Sequence, residues 1–427
     1  MKKFLVMAMA AAGVLTACTS NDDLGGGVDS TDLQQIKLGV SNATVSTRGT
    51  GTVGDLEDGD NTWAGEYIWV SMLDKGTLKA TEFKGVVDGV ETTDQIFYNH
   101  LFKAPVGETS SEATSNTGKI GYYPANGQSD FWGFRVDNAV NGDATAQVSP
   151  VLCDNNNAQV GNADEATRLV LDVDIDGSQD IMAGKAELSE ENKEALAGSR
   201  SDDFYSAYSA RKGVQPNISF NHLLTRMTFK VKAGNKAAAG DGVADNAVTV
   251  KGVSIKSLHK GKLVVAYTEQ GKPENVLTFS DVEGEEGGKD LALKQRVGGK
   301  NTELQSLTEV PLTWNDDEGG EELPIGEALL VAPGQQKYHL TLNLQQKVDN
   351  NEDGTTEVRT IPFEYDVQLG KNSVETFKAG NSYEILITVY GNERIEVTAT
   401  LVPWKNGGKI DIDDDKDDSP IYTPAGE

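Results

Sequence analysis

Short runs in which apolar and polar residues alternate dominate this chain, as in Thr228-Phe229-Lys230-Val231-Lys232, Thr341-Leu342-Asn343-Leu344 and Ile385-Leu386-Ile387-Thr388-Val389-Tyr390. A period of two sends successive side chains to opposite faces of a pleated strand, so one face is apolar and the other wet. Between the runs stand clusters of Asn, Asp and Gly, and the chain holds 46 glycines. These residues tolerate the positive φ that tight antiparallel connections demand. The pattern predicts an all-β chain of sandwiches, in which the one fair helical stretch, residues 187–197, is a short surface insertion.

With 427 residues and 37% hydrophobic content there is material for two cores of ordinary size. The stretch from Ala233 to Gly242 has no large apolar residue and separates strand-rich halves of similar length, which sets a boundary at 235 and two domains, 49–235 and 236–427. Residues 283–288 read as a surface loop, because strand patterns resume on both sides. No short-period repeat of the solenoid kind is present.

The N-terminus reads Met1-Lys2-Lys3, then an apolar stretch from Phe4 to Val14, then Leu15-Thr16-Ala17-Cys18. A charged start, a short apolar run and small residues before a cleavage point make residues 1–17 a signal peptide. The run is well short of the roughly 20 residues a membrane-spanning helix needs. Leu-Thr-Ala-Cys resembles the lipobox of bacterial lipoproteins, which implies that Cys18 is lipidated and anchors the mature chain in the outer membrane. Ser20-Asn21-Asp22-Asp23 and Gly25-Gly26-Gly27 follow as an acidic, flexible tether, similar to the surface-export signal of Bacteroidetes lipoproteins. Loss of Lys2 and Lys3 with the signal peptide takes the formal charge from −28 to −30. Such a surface repels phosphate backbones and anionic headgroups, so no nucleic-acid partner is expected. Cys153 is the one other cysteine, so with Cys18 acylated no intrachain disulfide is expected and the fold must rest on its apolar core.

Signatures of catalysis are missing. The sequence has no H-E-x-x-H, no G-x-S-x-G and no P-loop. Its four histidines, His100, His222, His259 and His339, lack metal-ligand spacing. Asp172-Val173-Asp174-Ile175-Asp176-Gly177 is similar to the first half of an EF-hand loop, but the twelfth position is Ala183 and the bidentate glutamate is absent. The string reads instead as a strand with Leu171, Val173 and Ile175 facing a core. The aspartates from 411 to 418 read as a solvated tail. The chain is therefore read as a non-enzyme with no catalytic residue, metal or cofactor.

Several motifs, in order along the chain, together resemble the Bacteroidetes fimbrillin family, the subunits of type V pili and their relatives. The strongest is Ile218-Ser219-Phe220-Asn221-His222-Leu223-Leu224-Thr225-Arg226-Met227-Thr228-Phe229-Lys230-Val231, similar to the family's F-x-H-x-(L/M)-(S/T/A)-R-(L/M)-x-F-x-V strand. Gly121-Tyr122-Tyr123-Pro124 with Asp130-Phe131-Trp132-Gly133-Phe134, Leu329-Leu330-Val331-Ala332-Pro333-Gly334-Gln335, and Phe377-Lys378-Ala379-Gly380-Asn381-Ser382-Tyr383 support it. The resemblance spans residues 30 to 405 and implies two tandem transthyretin-like β-sandwich domains. It also implies assembly by strand exchange: a lipidated precursor carries its own first strand, an arginine-specific protease cuts after it, and a strand of another fimbrial subunit fills the groove. His222 and Arg226 read as a polar pair fixing a strand end, and Tyr122, Tyr123, Phe131, Trp132 and Phe134 as core.

The parts for such an exchange are present within residues 18–48, a lipidated tether followed by a removable first strand. Ile36, Leu38 and Val40 alternate with polar or small residues, Ala43 and Val45 continue the period, and Thr47-Arg48-Gly49-Thr50 offers Arg48 for cleavage in a glycine-containing loop. Residues 33–45 are expected to pair within the first sandwich with Ile36, Leu38 and Val40 inward. At the other end Ile410, Ile412, Ile421 and Tyr422 make a thin apolar ladder for a donor strand, which leaves stalk, tip and anchor roles open. The function implied is a fimbrial subunit or adhesin on the outer membrane and in the fimbrium, binding a host or bacterial surface ligand. The alternative, from the lipobox and the clustered aromatics, is a surface glycan-binding lipoprotein of a polysaccharide-uptake system.

Overall fold

The computed structural model describes residues 34–42, 63–64, 66–87, 90–104, 106–108, 110–137, 149–197, 204–297, 304–350, 355–370, 374–390, 394–402, 410–411 and 421–422. Strands dominate these residues, as the period of two predicts. In the first half they include β1 (Gly39–Asn42), β2 (Tyr67–Asp74), β3 (His100–Lys103), β4 (Ser110–Glu112), β5 (Thr114–Ser115), β6 (Ser129–Val136), β7 (Val151–Cys153), β8 (Arg168–Asp174), β9 (Ile181–Lys185) and β10 (Asn217–His222). Eight of them form one sheet in the order β4-β1-β10-β9-β6-β2-β3-β5. In β10 the alternation is clean, with Ile218, Phe220 and His222 buried and Asn217, Ser219 and Asn221 exposed.

The second half supplies β11 (Thr225–Ala233), β12 (Thr249–Ser257), β13 (Lys260–Tyr267), β14 (Leu277–Ser280), β15 (Lys289–Ala292), β16 (Leu323–Val331), β17 (Lys337–Asn350), β18 (Thr355–Gln368), β19 (Ser382–Tyr390) and β20 (Arg394–Val402). One sheet runs β16-β11-β19-β20 and another includes β15-β12-β17-β18. Their inner faces meet in a core that includes Phe229, Leu340, Phe377, Tyr383 and Ile385. Phe377 sits edge-on to both Tyr338 and Tyr383, with ring centroids 5.1 and 4.8 Å away, a geometry that favours the ring quadrupoles.

Strand pairing crosses residue 235. β11 pairs with β16 and, in parallel, with β19, so it belongs with strands that follow residue 323, and the change of sheet comes at Leu223 and Leu224. A further sheet, β7-β8-β13-β14, joins strands from both halves. The stretch read as the boundary has local structure of its own: Lys236–Gly242 forms 3-10 turns, Asn235 caps them, and Ala238 is fully buried. Small residues there serve close packing. The predicted helix appears at Glu190–Leu196, capped by Ser189, and a second short helix, Ala207–Arg211, has a Ser206/Ser209 capping box.

Where the chain passes from β10 to β11, its polar side chains are buried. His222 Nδ1 lies 2.8 Å from Asp180 Oδ2, with both side chains fully buried. Arg226 donates through Nη1 to Ser382 Oγ at 3.0 Å. Burial pulls the Arg226 guanidinium down to about 9, while Asp180 and Glu327 act in the other direction. An uncompensated buried charge is costly, so the cluster holds only as a set. Asp180→Ala should lower the unfolding free energy by about 3–5 kcal/mol in chemical denaturation. A change below about 0.5 kcal/mol, typical of an ordinary surface site, would show that the cluster does not brace the junction.

Candidate functional site: the seat of the first strand

Ile36, Leu38 and Val40 are 6%, 2% and 0% exposed, whereas Gln35 and Lys37, on either side of Ile36, are exposed. The segment gains backbone partners on both sides. Near its start it runs antiparallel to the Tyr122 region: Ile36 N donates to Gly121 O at 2.9 Å and Tyr123 N donates to Gln34 O at 2.9 Å. Further on, β1 lies parallel to β10, with Gly39 opposite Asn217 and Asn42 opposite Phe220. On its other edge it lies antiparallel to β4, with Val40 opposite Ser111, and Ala113 N donates to Leu38 O at 2.8 Å.

Two local features of the sequence complete the seat. Lys37 N donates to Gln215 Oε1 at 3.1 Å, and Gln215 Nε2 donates to Gln35 O at 3.2 Å, so one side-chain amide acts as a strand partner just before Pro216. Pro216 lacks an N–H but its carbonyl accepts from Gly39 N at 2.8 Å. Gly121 is required by close packing, since a Cβ there would lie 2.5 Å from the Phe97 ring.

The floor is aromatic. Trp63, Tyr123, Phe131, Tyr205, Ile218 and Phe220 share one buried cluster with Ile36, Leu38 and Val40. Trp63 stands edge-on to Phe220 at 5.6 Å, and Phe131 edge-on to Tyr205 at 5.6 Å. Burial pushes the Tyr205 hydroxyl up to about 12. Of the predicted aromatic core, Tyr123, Phe131, Trp132 and Phe134 are buried and Tyr122 is half-buried. Cys18, Ala43, Val45 and Arg48 lie outside the described residues.

The remaining candidates are spread elsewhere. Leu171, Val173 and Ile175 are buried, and the acidic string beside them meets bases: Asp172 pairs with Lys262 at 2.8 Å, Asp174 with His259 at 2.7 Å, and Asp176 with Lys294 at 2.8 Å. Among the described residues, no group of three or more His, Cys, Asp or Glu side chains is placed to hold a metal ion. Two contributors to these sites escape sequence reasoning: Asp180, one acid among 66, and Gln215, whose only signal is its place beside Pro216.

If these contacts hold the strand, Leu38→Ala should cost about 2–5 kcal/mol, the usual range for a buried leucine. Exposed Lys37→Ala should cost under about 0.5 kcal/mol. Denaturant midpoints measure both, and equal effects would contradict the seating.

No family model matches the chain, and no curated protein matches it. Solved structures do. A proposed cell adhesion protein from Bacteroides uniformis aligns over 88% of this chain and 100% of its own, at 16% identity and a TM-score of 0.42. The fimbrial anchor protein Mfa2 from Porphyromonas gingivalis aligns over 86% and 99%, at 11% identity and a TM-score of 0.31. A proposed adhesin from Bacteroides thetaiotaomicron aligns over 85% and 95%, at 8% identity and a TM-score of 0.34. The structures this chain is similar to along most of its length thus include proposed adhesins and a fimbrial anchor, while the roles of its residues rest on its own geometry.

Proposed function

We propose that this chain is a fimbrial subunit or fimbrial adhesin, exported as a lipoprotein and assembled by exchange of its first strand, without turnover of a substrate. The observation that carries the reading is the seat of residues 34–42: a short strand, apolar on its inner side, held between β10 and the three-residue edge strand β4. Its removal uncovers apolar surface and the backbone edge of β10. An open edge of that kind pairs with a strand from another chain. The partners are other fimbrial subunits, the outer membrane through lipid at Cys18, and an arginine-specific protease acting at Arg48. In the same proposal the chain divides into two sandwich units, with Ala43 and Val45 extending the removable strand.

Limited trypsin treatment should cut after Arg48 and leave the strand-rich body resistant. The cut protein should associate or aggregate in size-exclusion chromatography, and Arg48→Ala should stay monomeric. A cut protein that remains monomeric and as stable as the precursor would sink the exchange mechanism. Cys18→Ala should move the chain from the membrane to the soluble fraction or leave it unprocessed. Unchanged partition with the outer membrane would refute the anchor.

A further inference from the structure

A cleft of about 1060 Å³, lined by both polar and apolar residues, opens on the first half of the molecule, away from the first strand, between the turn after β2, the turn at residues 124–128, the segment that follows β7 and residues 82–98. None of its lining residues belongs to 34–42, so what is inferred here stands apart from strand exchange. The volume lies at the upper end of sites that take small molecules or short oligomers.

Hydrogen bonds and an ion pair link the walls to one another. Thr77 N donates to Asp74 O at 2.9 Å, closing the first turn. Lys75 N donates to Gln128 O at 2.9 Å and Gly76 N to Asp130 Oδ2 at 3.2 Å, tying it to the second wall. Lys79 Nζ reaches Asp164 at 2.6 Å and ties it to the third. Tyr98, 37% exposed, lines the cleft, and the next residue, Asn99, has φ of 47° with its N–H donated to Ser71 Oγ at 3.0 Å. A side chain that tolerates the left-handed region is needed there to present the ring. Burial pushes the Tyr98 phenol up.

The chemistry of the lining selects a ligand class. Three amides, Gln95, Asn126 and Gln128, each offer donor and acceptor atoms. The charged groups cancel, Asp74 and Glu82 against Lys75 and Lys79, on a chain whose overall formal charge is −28. Amides and an aromatic face without net charge fit a ligand rich in hydroxyls and carrying apolar C–H faces. We propose that this cleft is a binding site for a neutral oligosaccharide, with Tyr98 as the stacking platform and Gln95, Asn126 and Gln128 reading hydroxyl groups.

The test uses the full chain on an array of neutral oligosaccharides with sialylated and sulfated counterparts and polypeptide-coated spots as comparison. Neutral glycans should be retained. Tyr98→Ala, which removes the platform, should weaken retention roughly tenfold or more. Ala125→Trp, which fills the mouth from an exposed lining position, should do the same. Thermal melting tells whether each variant is folded, and the folded one decides if the other is not. No retention of any neutral glycan, equal retention by a folded variant, or a preference for the acidic or polypeptide spots would overturn the assignment.

Discussion

Residues 217–233 form one nearly continuous extended segment that serves two sheets, and the rest of the structure is arranged around it. Its first part, β10, is hydrogen-bonded between β1 and β9. Its second part, β11, lies between β16 and β19. Two residues separate the parts, and beside them sit the buried His222–Asp180 contact and Arg226. A period-two strand cannot slip by one residue without turning its apolar set to solvent. Here a slip would also strand a buried charge, so the register of both sheets is set at one place.

That register positions the seat of the first strand. Ile218 and Phe220 face the core on the same side of β10 as the buried His222, which lies 2.8 Å from Asp180, and Val40 takes its place opposite Ile218. Pairing between β1 and β10 is parallel and four residues long, which is a modest ladder on its own. Much of the hold comes from side chains: burying Ile, Leu or Val contributes about 1.5–3 kcal/mol each. A strand held by a few such contacts is firm in the precursor and replaceable by another with the same alternation.

The local part of this arrangement is legible in the sequence, because alternation is a property of neighbours. The phase of Ile36, Leu38 and Val40 follows directly from it, as do the inward faces of β10 and β8. Non-local choices are not legible. Nothing in the composition distinguishes Asp180 from the other acids, or tells that β8 pairs with β13 across the middle of the chain. The stretch near 235, without a large apolar residue, reads as a boundary because small residues mark both linkers and tight packing, and Ala238 belongs to the second kind. The cleft beside Tyr98 is invisible in one dimension, since its walls come from segments far apart in sequence.

The central claim is that residues 34–42 complete a sheet that is otherwise open, and hydrogen exchange measured before and after cleavage at Arg48 tests it most directly. Amides of 34–42 and of 217–222 should both be protected in the intact chain, because both lie inside the ladder. After cleavage and removal of the fragment, protection of 217–222 should fall sharply, while that of β17 and β18 stays as it was. Rapid exchange of 34–42 in the intact chain, or undiminished protection of 217–222 after the strand is gone, would contradict the account.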